Sequence, residues 1–199
     1  MSEPERDEDL IRRYLGGDAR AFEILVERHE RRVYNLALRM TGREEDAQDA
    51  TQDAFLSALR KLKGFRGEAA FSTWLHRVTV NACYDLLRKR QRAPLLHERA
   101  DDQGPRPPEP ASPDHADSVD LSLDVREALS LVPPDFRAAL LLCDVHDLPY
   151  DEVASILGVP VGTVKSRLHR GRAALGRALG APTRERRAPT EPSDGTMPS

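Results

Sequence analysis

The stretch YDEVASILGVPVGTVKSRLH, residues 150–169, decides the fold of the C-terminal part of the chain. It predicts two short helices around a tight turn at Gly158, because glycine reaches positive φ at little steric cost. The apolar positions on either side recur at helical spacing: Val153, Ile156, Leu157, Val159, Val164 and Leu168. A small helical pair with a basic, hydroxyl-rich second helix is typical of a helix-turn-helix that reads the major groove of DNA.

The second helix of this pair follows the turn at Gly158 and has several polar side chains outside its apolar face. The candidates for contact with bases or phosphates are Thr163, Lys165, Ser166, Arg167, His169 and Arg170. A solvated amphipathic helix is the alternative interpretation of the same residues. The complete helix-turn-helix pattern around them favours DNA binding.

Charge is segregated along the chain, although the 199 residues have a net charge of only −3. Residues 60–92 and residues 163–187 each have a net charge of +7, and residues 93–124 have a net charge of −6. Two basic blocks in helical sequence, separated by an acidic stretch, indicate two contacts with nucleic acid.

Composition excludes several classes of protein. No stretch approaches the roughly 20 apolar residues that a membrane-spanning helix needs, and the N-terminus MSEPERDEDL is too acidic and polar for a secretory signal. Cys83 and Cys143 lie 60 residues apart, and we expect both to be reduced, buried apolar residues rather than a redox switch. These features predict a cytoplasmic protein without membrane insertion.

The predicted fold is all-α, with two small helical domains joined by a flexible Pro-rich linker. Residues 93–119 contain six prolines and almost no large apolar side chains, so they cannot bury enough surface to offset the entropy of ordering. We therefore expect domains at 1–92 and 120–180, an acidic linker at 93–119 and a disordered tail at 181–199. The first domain is predicted to contain four helices, the second capped by Asp18 and the fourth beginning at a Ser72 or Thr73 cap.

The third predicted helix has an acidic stripe, in which Asp46, Asp49 and Asp53 share one face. Like charges at this spacing repel one another, so the stripe favours a basic partner, with a solvated helix face as the alternative. A metal site, and with it an enzyme built on these carboxylates, is a further alternative. It is disfavoured because the Glu-x-x-His motifs of di-iron bundles are missing, and we predict neither metal nor cofactor.

The fourth predicted helix mixes aromatic, amide and basic side chains. The candidates for DNA contact are Trp74, Arg77, Asn81, Arg88, Lys89 and Arg90. Rings stack on splayed bases while Arg and Lys follow phosphates, so the mixture suits unstacked nucleic acid. The alternative, that Trp74 and its apolar neighbours simply form core, is expected to be partly true.

Three segments in this order carry a family resemblance: DAQDATQDAFLSALRKLKGFRG, then FSTWLHRVTVNACYDLLRKR, then LPYDEVASILGVPVGTVKSRLHRGRAAL. Together they resemble the bacterial sigma factors of the extracytoplasmic function (ECF) group, over about residues 15–92 and 121–180. The Ala- and Arg-rich composition is similar to that of SigM-like members from actinobacteria.

The resemblance implies an initiation factor, not an enzyme, that brings core RNA polymerase to −10/−35 promoter DNA. In the family, the segment similar to residues 46–60 docks on the clamp of the β′ subunit. This makes Asp46, Asp49, Gln52, Asp53 and Phe55 the core-binding candidates. The basic fourth helix is similar to the −10 reader, and residues 121–180 are similar to the −35 reader, which sits on the β flap. Many family members also have an anti-sigma partner.

A second function remains open at this point. A two-domain transcription regulator could use the same helix-turn-helix without joining polymerase. It would bind its DNA sequence on its own, whereas a sigma factor requires core enzyme for promoter-specific transcription.

Overall fold

The computed structural model describes residues 5–67, 69–92 and 123–180, and these residues form an all-α structure without strands. The N-terminal unit contains α1 (Asp7–Leu15), α2 (Ala19–Thr41), α3 (Glu44–Lys61) and α4 (Phe71–Arg92), with a 3-10 turn at Leu62–Gly64. The C-terminal unit contains α5 (Leu123–Ser130), α6 (Pro134–Leu140), a π-helical turn at Leu141–Val145, α7 (Tyr150–Leu157) and α8 (Val161–Gly180). The all-α prediction is confirmed, whereas the predicted linker and tail lie outside the described residues.

Most predicted helix ends agree with the structure. Asp18 caps α2 by accepting a hydrogen bond from the backbone N–H of Arg20 at 3.1 Å, which satisfies one of the free amides of the first turn. Gly158 ends α7 with φ of +65°, as a tight helix-turn-helix requires. The eight described α-helices are each too short or too polar to span a bilayer.

The predicted start of α4 is wrong by two to three residues, since a cap at Ser72 or Thr73 would put the first helical residue at 73 or 74. The helix begins at Phe71, and the N–H of Trp74 donates to the carbonyl of Ala70 at 3.1 Å. The hydroxyl of Thr73 does not cap the helix but donates to Glu152 at 3.1 Å. The Thr73 hydroxyl, which the local sequence predicts to cap the helix, therefore bonds the carboxylate of Glu152 instead.

One apolar core lies entirely within the N-terminal unit. It joins α1, α2, α3 and α4 through these buried residues: Leu10, Ile11, Ala21, Leu25, Val33, Ala54, Ala58, Leu62, Phe71, Leu75 and Val78. Burial of this apolar surface stabilises the packing of the four helices.

A second apolar core is shared by both units. From the N-terminal unit it includes Leu36, Met40 and Cys83, and from the C-terminal unit Leu141 and Val153, all of them buried. In this arrangement α2 contacts α5 and α6, and α4 contacts α7. The sequence did not predict this packing, because nothing in the periodicity of one helix names its partner across a long linker.

The buried guanidinium of Arg137 crosses the boundary between the units. It is 4% exposed and donates to the carbonyl of Met40 near the end of α2. It also donates to the carbonyl of Ser130 (2.6 Å), the last residue of α5, and to that of Val132 (2.8 Å) just beyond it. Burial lowers the pKa of Arg137 from its ordinary value. Helix-terminal carbonyls favour a nearby cation, so Arg137 ties the C-terminal unit to the end of α2.

Candidate nucleic-acid interface

The α8 surface, formed by Lys165, Ser166, His169 and Arg170, is exposed to solvent. Thr163, near the start of the helix, is half-buried, and its carbonyl accepts a hydrogen bond from the hydroxyl of Ser166 at 3.1 Å. Val164 and Leu168 are buried on the opposite face. The helix therefore presents basic and hydroxyl side chains outward, as readout of the major groove requires.

Two aromatic rings support the cations of the α8 surface. The ammonium of Lys165 lies 5.9 Å from the ring centre of Tyr150, and the guanidinium of Arg170 lies 6.0 Å from that of Phe136. Such contacts are weakly attractive at exposed sites. They bias the two side chains toward fixed positions without removing their charge from solvent.

Arg167 differs from the other candidates on α8. Its guanidinium donates to Asp135 on α6 at 3.0 Å, and its side chain is 20% exposed. Arg172, which is not among the predicted candidates, donates to Asp144 at 2.6 and 2.9 Å. These two pairs hold α8 against α6 and the π-helical turn, so Arg167 helps to position the helix.

Gly171 allows α8 to approach α6 closely. It is buried, and a Cβ at this position would lie 3.0 Å from the carbonyl oxygen of Phe136. An alanine would require one of the two helices to shift. Absence of a side chain at Gly171 therefore sets the distance at which α8 is presented.

The α4 surface, formed by Trp74, Arg77, Asn81, Arg88, Lys89 and Arg90, runs along one long helix. All of these side chains except Trp74 are exposed. Trp74, Arg77 and Asn81 lie at spacings of three and four, so they share one face near the start of the helix. The three basic residues lie in the last turns.

The Trp74 indole is half-buried in an aromatic cluster. Its ring centre lies 5.4 Å from that of Phe65 and 5.6 Å from that of Phe71. The predicted double role is consistent with this placement, since Trp74 packs against the first core and also lines a cavity of about 410 Å³. Arg77 lines the same cavity.

Helix α7 of the C-terminal unit lies beside this part of the α4 surface. Ser155 and Ile156 line the cavity opposite Trp74. Glu152, one turn earlier on α7, accepts the hydrogen bond from Thr73. The helix-turn-helix therefore contacts the helix that the resemblance assigns to −10 recognition.

A pair of histidines lies at the same boundary. The ring centres of His76 on α4 and His146 after the π-helical turn are 4.8 Å apart. His76 is 6% exposed, and its Nδ1 accepts or donates no hydrogen bond among the described residues. Burial, reinforced by the neighbouring His146, lowers the pKa of His76 to about 3, so the ring is neutral at physiological pH.

The α3 surface, formed by Asp49, Gln52 and Asp53, is exposed. The remaining core-binding candidates have partners within the chain: Asp46 pairs with Arg90 of α4, and Phe55 is half-buried against the first core. The structure thus leaves two of the three predicted carboxylates available to a partner. Among the described residues, no three His, Cys, Asp or Glu side chains are arranged to hold a metal ion.

The two cysteines are free and buried, as predicted. Burial raises the pKa of the Cys83 thiol to about 12 and also raises the pKa of Cys143. Thiolate is the reactive form, and both thiols are therefore held in the unreactive form.

Family models match both units. The model described as Sigma-70 region 2 matches residues 25–93, and the model described as Sigma-70, region 4, matches residues 122–175. The matched ranges contain α3 and α4 in the first case and the helix-turn-helix in the second.

Curated relatives are similar along most of the chain. The ECF RNA polymerase sigma factor SigM of Mycobacterium tuberculosis (strain H37Rv) is 42% identical over 87% of this chain and 85% of its own length. The ECF RNA polymerase sigma-E factor of Escherichia coli (strain K12) is 35% identical over 88% of this chain and 95% of its own length. The ECF RNA polymerase sigma factor SigE of Mycolicibacterium smegmatis is 40% identical over 78% of this chain and 60% of its own length.

Solved structures show a similar fold. The sigma factor RpoE of Bartonella quintana, in complex with the anti-sigma factor NepR, matches 81% of this chain and 98% of its own with a TM-score of 0.61 and 25% identity. CnrH in complex with the cytosolic domain of CnrY matches 90% of this chain and all of its own with a TM-score of 0.64 and 27% identity.

Proposed function

This chain belongs to the family of ECF RNA polymerase sigma factors, and from that premise we propose that it binds core RNA polymerase and directs it to −10/−35 promoters. The observation that supports this most is the presence of three separate surfaces on one chain. The α3 surface is acidic, whereas the α4 and α8 surfaces are basic and lie on different units. A DNA-binding regulator that does not join polymerase needs only the last of them.

The −35 step is readout of duplex DNA by the α8 surface. Arg and Lys recognise guanine through its O6 and N7 atoms, and hydroxyl groups adapt to several base edges. Lys165, Ser166, His169 and Arg170 are free to take these roles because their side chains point to solvent. Thr163 and Arg167 are the less accessible candidates, and Arg167 must leave Asp135 before it can contact a phosphate.

The −10 step is capture of opened DNA by the α4 surface. Unstacking a base costs a few kcal/mol, and stacking on an aromatic ring recovers about 1–3 kcal/mol per base. We propose that Trp74 and Asn81 contact the unstacked base, because they share one face near the start of α4. Arg77 lines the same cavity as Trp74 and would contact a nearby phosphate, while Arg88, Lys89 and Arg90 would follow the DNA backbone.

Polymerase binding is assigned to the α3 surface. We propose that Asp49, Gln52 and Asp53 contact a basic face of the β′ clamp, with Asp46 and Phe55 supporting the helix from behind. The C-terminal unit would sit on the β flap, and residues 93–119 would connect the two sites. The domain bounds proposed for these roles remain 1–92 and 120–180.

A charge-reversal experiment tests the assignment of α3. The double variant Asp49→Arg/Asp53→Arg is expected to lower core-polymerase affinity at least about 100-fold, since two attractive contacts become repulsive. Glu27→Arg/Glu30→Arg is the matched control, because both residues are exposed on α2 outside this surface. Affinity is measured by titrating labelled core enzyme. Unchanged affinity in the first variant would show that the acidic stripe serves only solvation.

The relatives bear on the remaining alternatives. They are named as sigma factors, which are initiation factors and not enzymes. These names support the sigma-factor interpretation and not that of a regulator acting without polymerase. Because RpoE was solved with an anti-sigma factor, we propose that this chain also has such a partner and acts with it in the cytoplasm.

A further inference from the structure

We propose that the C-terminal unit closes over the −10 surface of the same chain, and that the His76–His146 pair makes this closed state open on acidification. The proposal deepens the proposed function, on which it rests for the role of the α4 surface. The partner that the surface fits is thus the helix-turn-helix unit itself. The contacts between the two units support this closed state.

One group of these contacts lies beside Trp74, at the start of α4. Thr73 donates to Glu152 at 3.1 Å, and Ile156 lines the cavity opposite the indole. Ile156 is 4% exposed and belongs to the core shared by both units. While α7 is in place, a base that stacks on Trp74 must enter the cavity between the indole and Ile156. A DNA strand that also follows the rest of the α4 surface then requires the units to separate.

The shared core and the Arg137 hydrogen bond to Met40 stabilise the closed state. The histidine pair has the opposite effect, because the His76 ring is buried without a hydrogen bond to its Nδ1 among the described residues. A buried polar group without a partner destabilises the state that buries it. The pair is therefore a weak point in an otherwise favourable contact.

The surroundings of His76 provide little to stabilise a proton on its ring. Arg32 and His29 face it from α2, and both oppose a positive charge there, as does His146. His29 is itself bonded to Asp7 of α1 at 2.8 Å. Glu152, on α7, is bonded to Thr73 one turn away on α4.

The sign of the pH dependence follows from these contacts. In the closed structure the pKa of His76 is lowered to about 3 from its ordinary value of 6.5, first by burial and then by His146. The part of this effect that comes from the C-terminal unit is lost when the units separate, so the open state binds the proton more tightly. The contribution of His76 to closure is therefore fully present well above pH 6.5 and is lost as pH falls through and below that value. If one imidazole regains its ordinary pKa on opening, the ratio of open to closed molecules rises about tenfold between pH 7.5 and pH 5.5.

The chain contains its own reporter, because Trp74 is its single tryptophan and lies at the contact. The full chain without polymerase is measured at pH 7.5 and pH 5.5 by Trp74 emission wavelength and by small-angle X-ray scattering. We expect a reversible red shift and a larger radius of gyration at pH 5.5, with unchanged helical circular dichroism. An unchanged wavelength and radius would overturn the proposal.

Three variants assign the effect. His76→Leu should keep the wavelength and radius independent of pH. His146→Leu should weaken the response without abolishing it, because burial, the larger cause of the lowered pKa of His76, remains. His169→Gln, at an exposed imidazole on α8, should respond like the unchanged chain. If His76→Leu does not fold, His76→Gln replaces it. A full pH response in the His76 variant would refute the histidine pair as the switch. None of these readouts uses polymerase, so failure of the sigma-factor function would be seen separately, in transcription assays.

Discussion

The α4 and α8 surfaces are both basic faces of long helices, but the rest of the molecule treats them differently. On α8, the side chains of Lys165, Ser166, His169 and Arg170 are exposed to solvent. On α4, the basic residues near the end of the helix are exposed, whereas Trp74 at its start faces α7 across the cavity. The proposed −35 reader is thus accessible in the closed state, and the proposed −10 reader is only partly so.

This difference matches the two kinds of DNA recognition. Duplex readout needs a rigid helix presented to an intact groove, and α8 is fixed by Gly171 and by the Arg172–Asp144 pair. Capture of unstacked DNA needs an aromatic surface that becomes accessible only when strands open. A covered Trp74 would keep that surface from binding single strands at random.

The largest effect is expected from Arg137→Ala, which should abolish the difference in accessibility between the α4 and α8 surfaces. The carbonyls of Met40, Ser130 and Val132 would lose their donor, and we expect a loss of about 3 kcal/mol in the free energy of unfolding. Urea denaturation measures this loss, and Trp74 emission should shift to the red in the absence of denaturant. Arg177→Ala, at an exposed position on α8, should change stability by less than about 0.5 kcal/mol. Equal effects of the two substitutions would contradict the role of Arg137.

A smaller effect is expected where α8 crosses α6. Gly171→Ala places a Cβ 3.0 Å from the Phe136 carbonyl, and such overpacking costs about 1–3 kcal/mol. Gly176→Ala is the matched control on the same helix, because a Cβ there meets nothing within 4 Å. The control should gain up to about 1 kcal/mol from helix propensity. Thermal unfolding of the two variants compares them, and the same sign for both would argue against a close helix crossing.

The α4 and α8 surfaces should differ in the kind of DNA that each one binds. Lys165→Ala/Arg170→Ala should weaken binding of −35 duplex by core-bound protein about tenfold, and should reduce the salt dependence by about two counterions. Arg88→Ala/Lys89→Ala should leave that binding unchanged and weaken binding of single-stranded −10 DNA instead. Fluorescence anisotropy at several salt concentrations measures both. If each double variant weakened both kinds of DNA equally, the division of labour between α4 and α8 would be wrong.

Helices and turns were largely predictable from the sequence because their signals are local. The Asp18 cap, Gly158 and the apolar periodicity each act within a few residues. The start of α4 was misplaced because Thr73 bonds Glu152, 79 positions away. Local rules cannot rank a cap against a partner that only the tertiary fold brings near.

The candidate site was predictable in its residue types and less so in its accessibility. Pairing of Asp46 with Arg90, and of Arg167 with Asp135, joins residues 44 and 32 positions apart. Arg137 was missed, although a lone cation inside the apolar run PDFRAALLL was a usable signal. Buried cations need polar partners, so such a residue points to carbonyls or carboxylates supplied by another element.

Run-off transcription with core RNA polymerase tests whether this chain is a promoter-specific initiation factor. Templates carry both promoter elements, the −35 element alone, the −10 element alone or neither. We expect a defined transcript only when chain and core enzyme are combined on the template with both elements, and we expect its loss with Asp49→Arg/Asp53→Arg. Tight sequence-specific binding by the chain alone, with no promoter-dependent transcript when core is added, would contradict it.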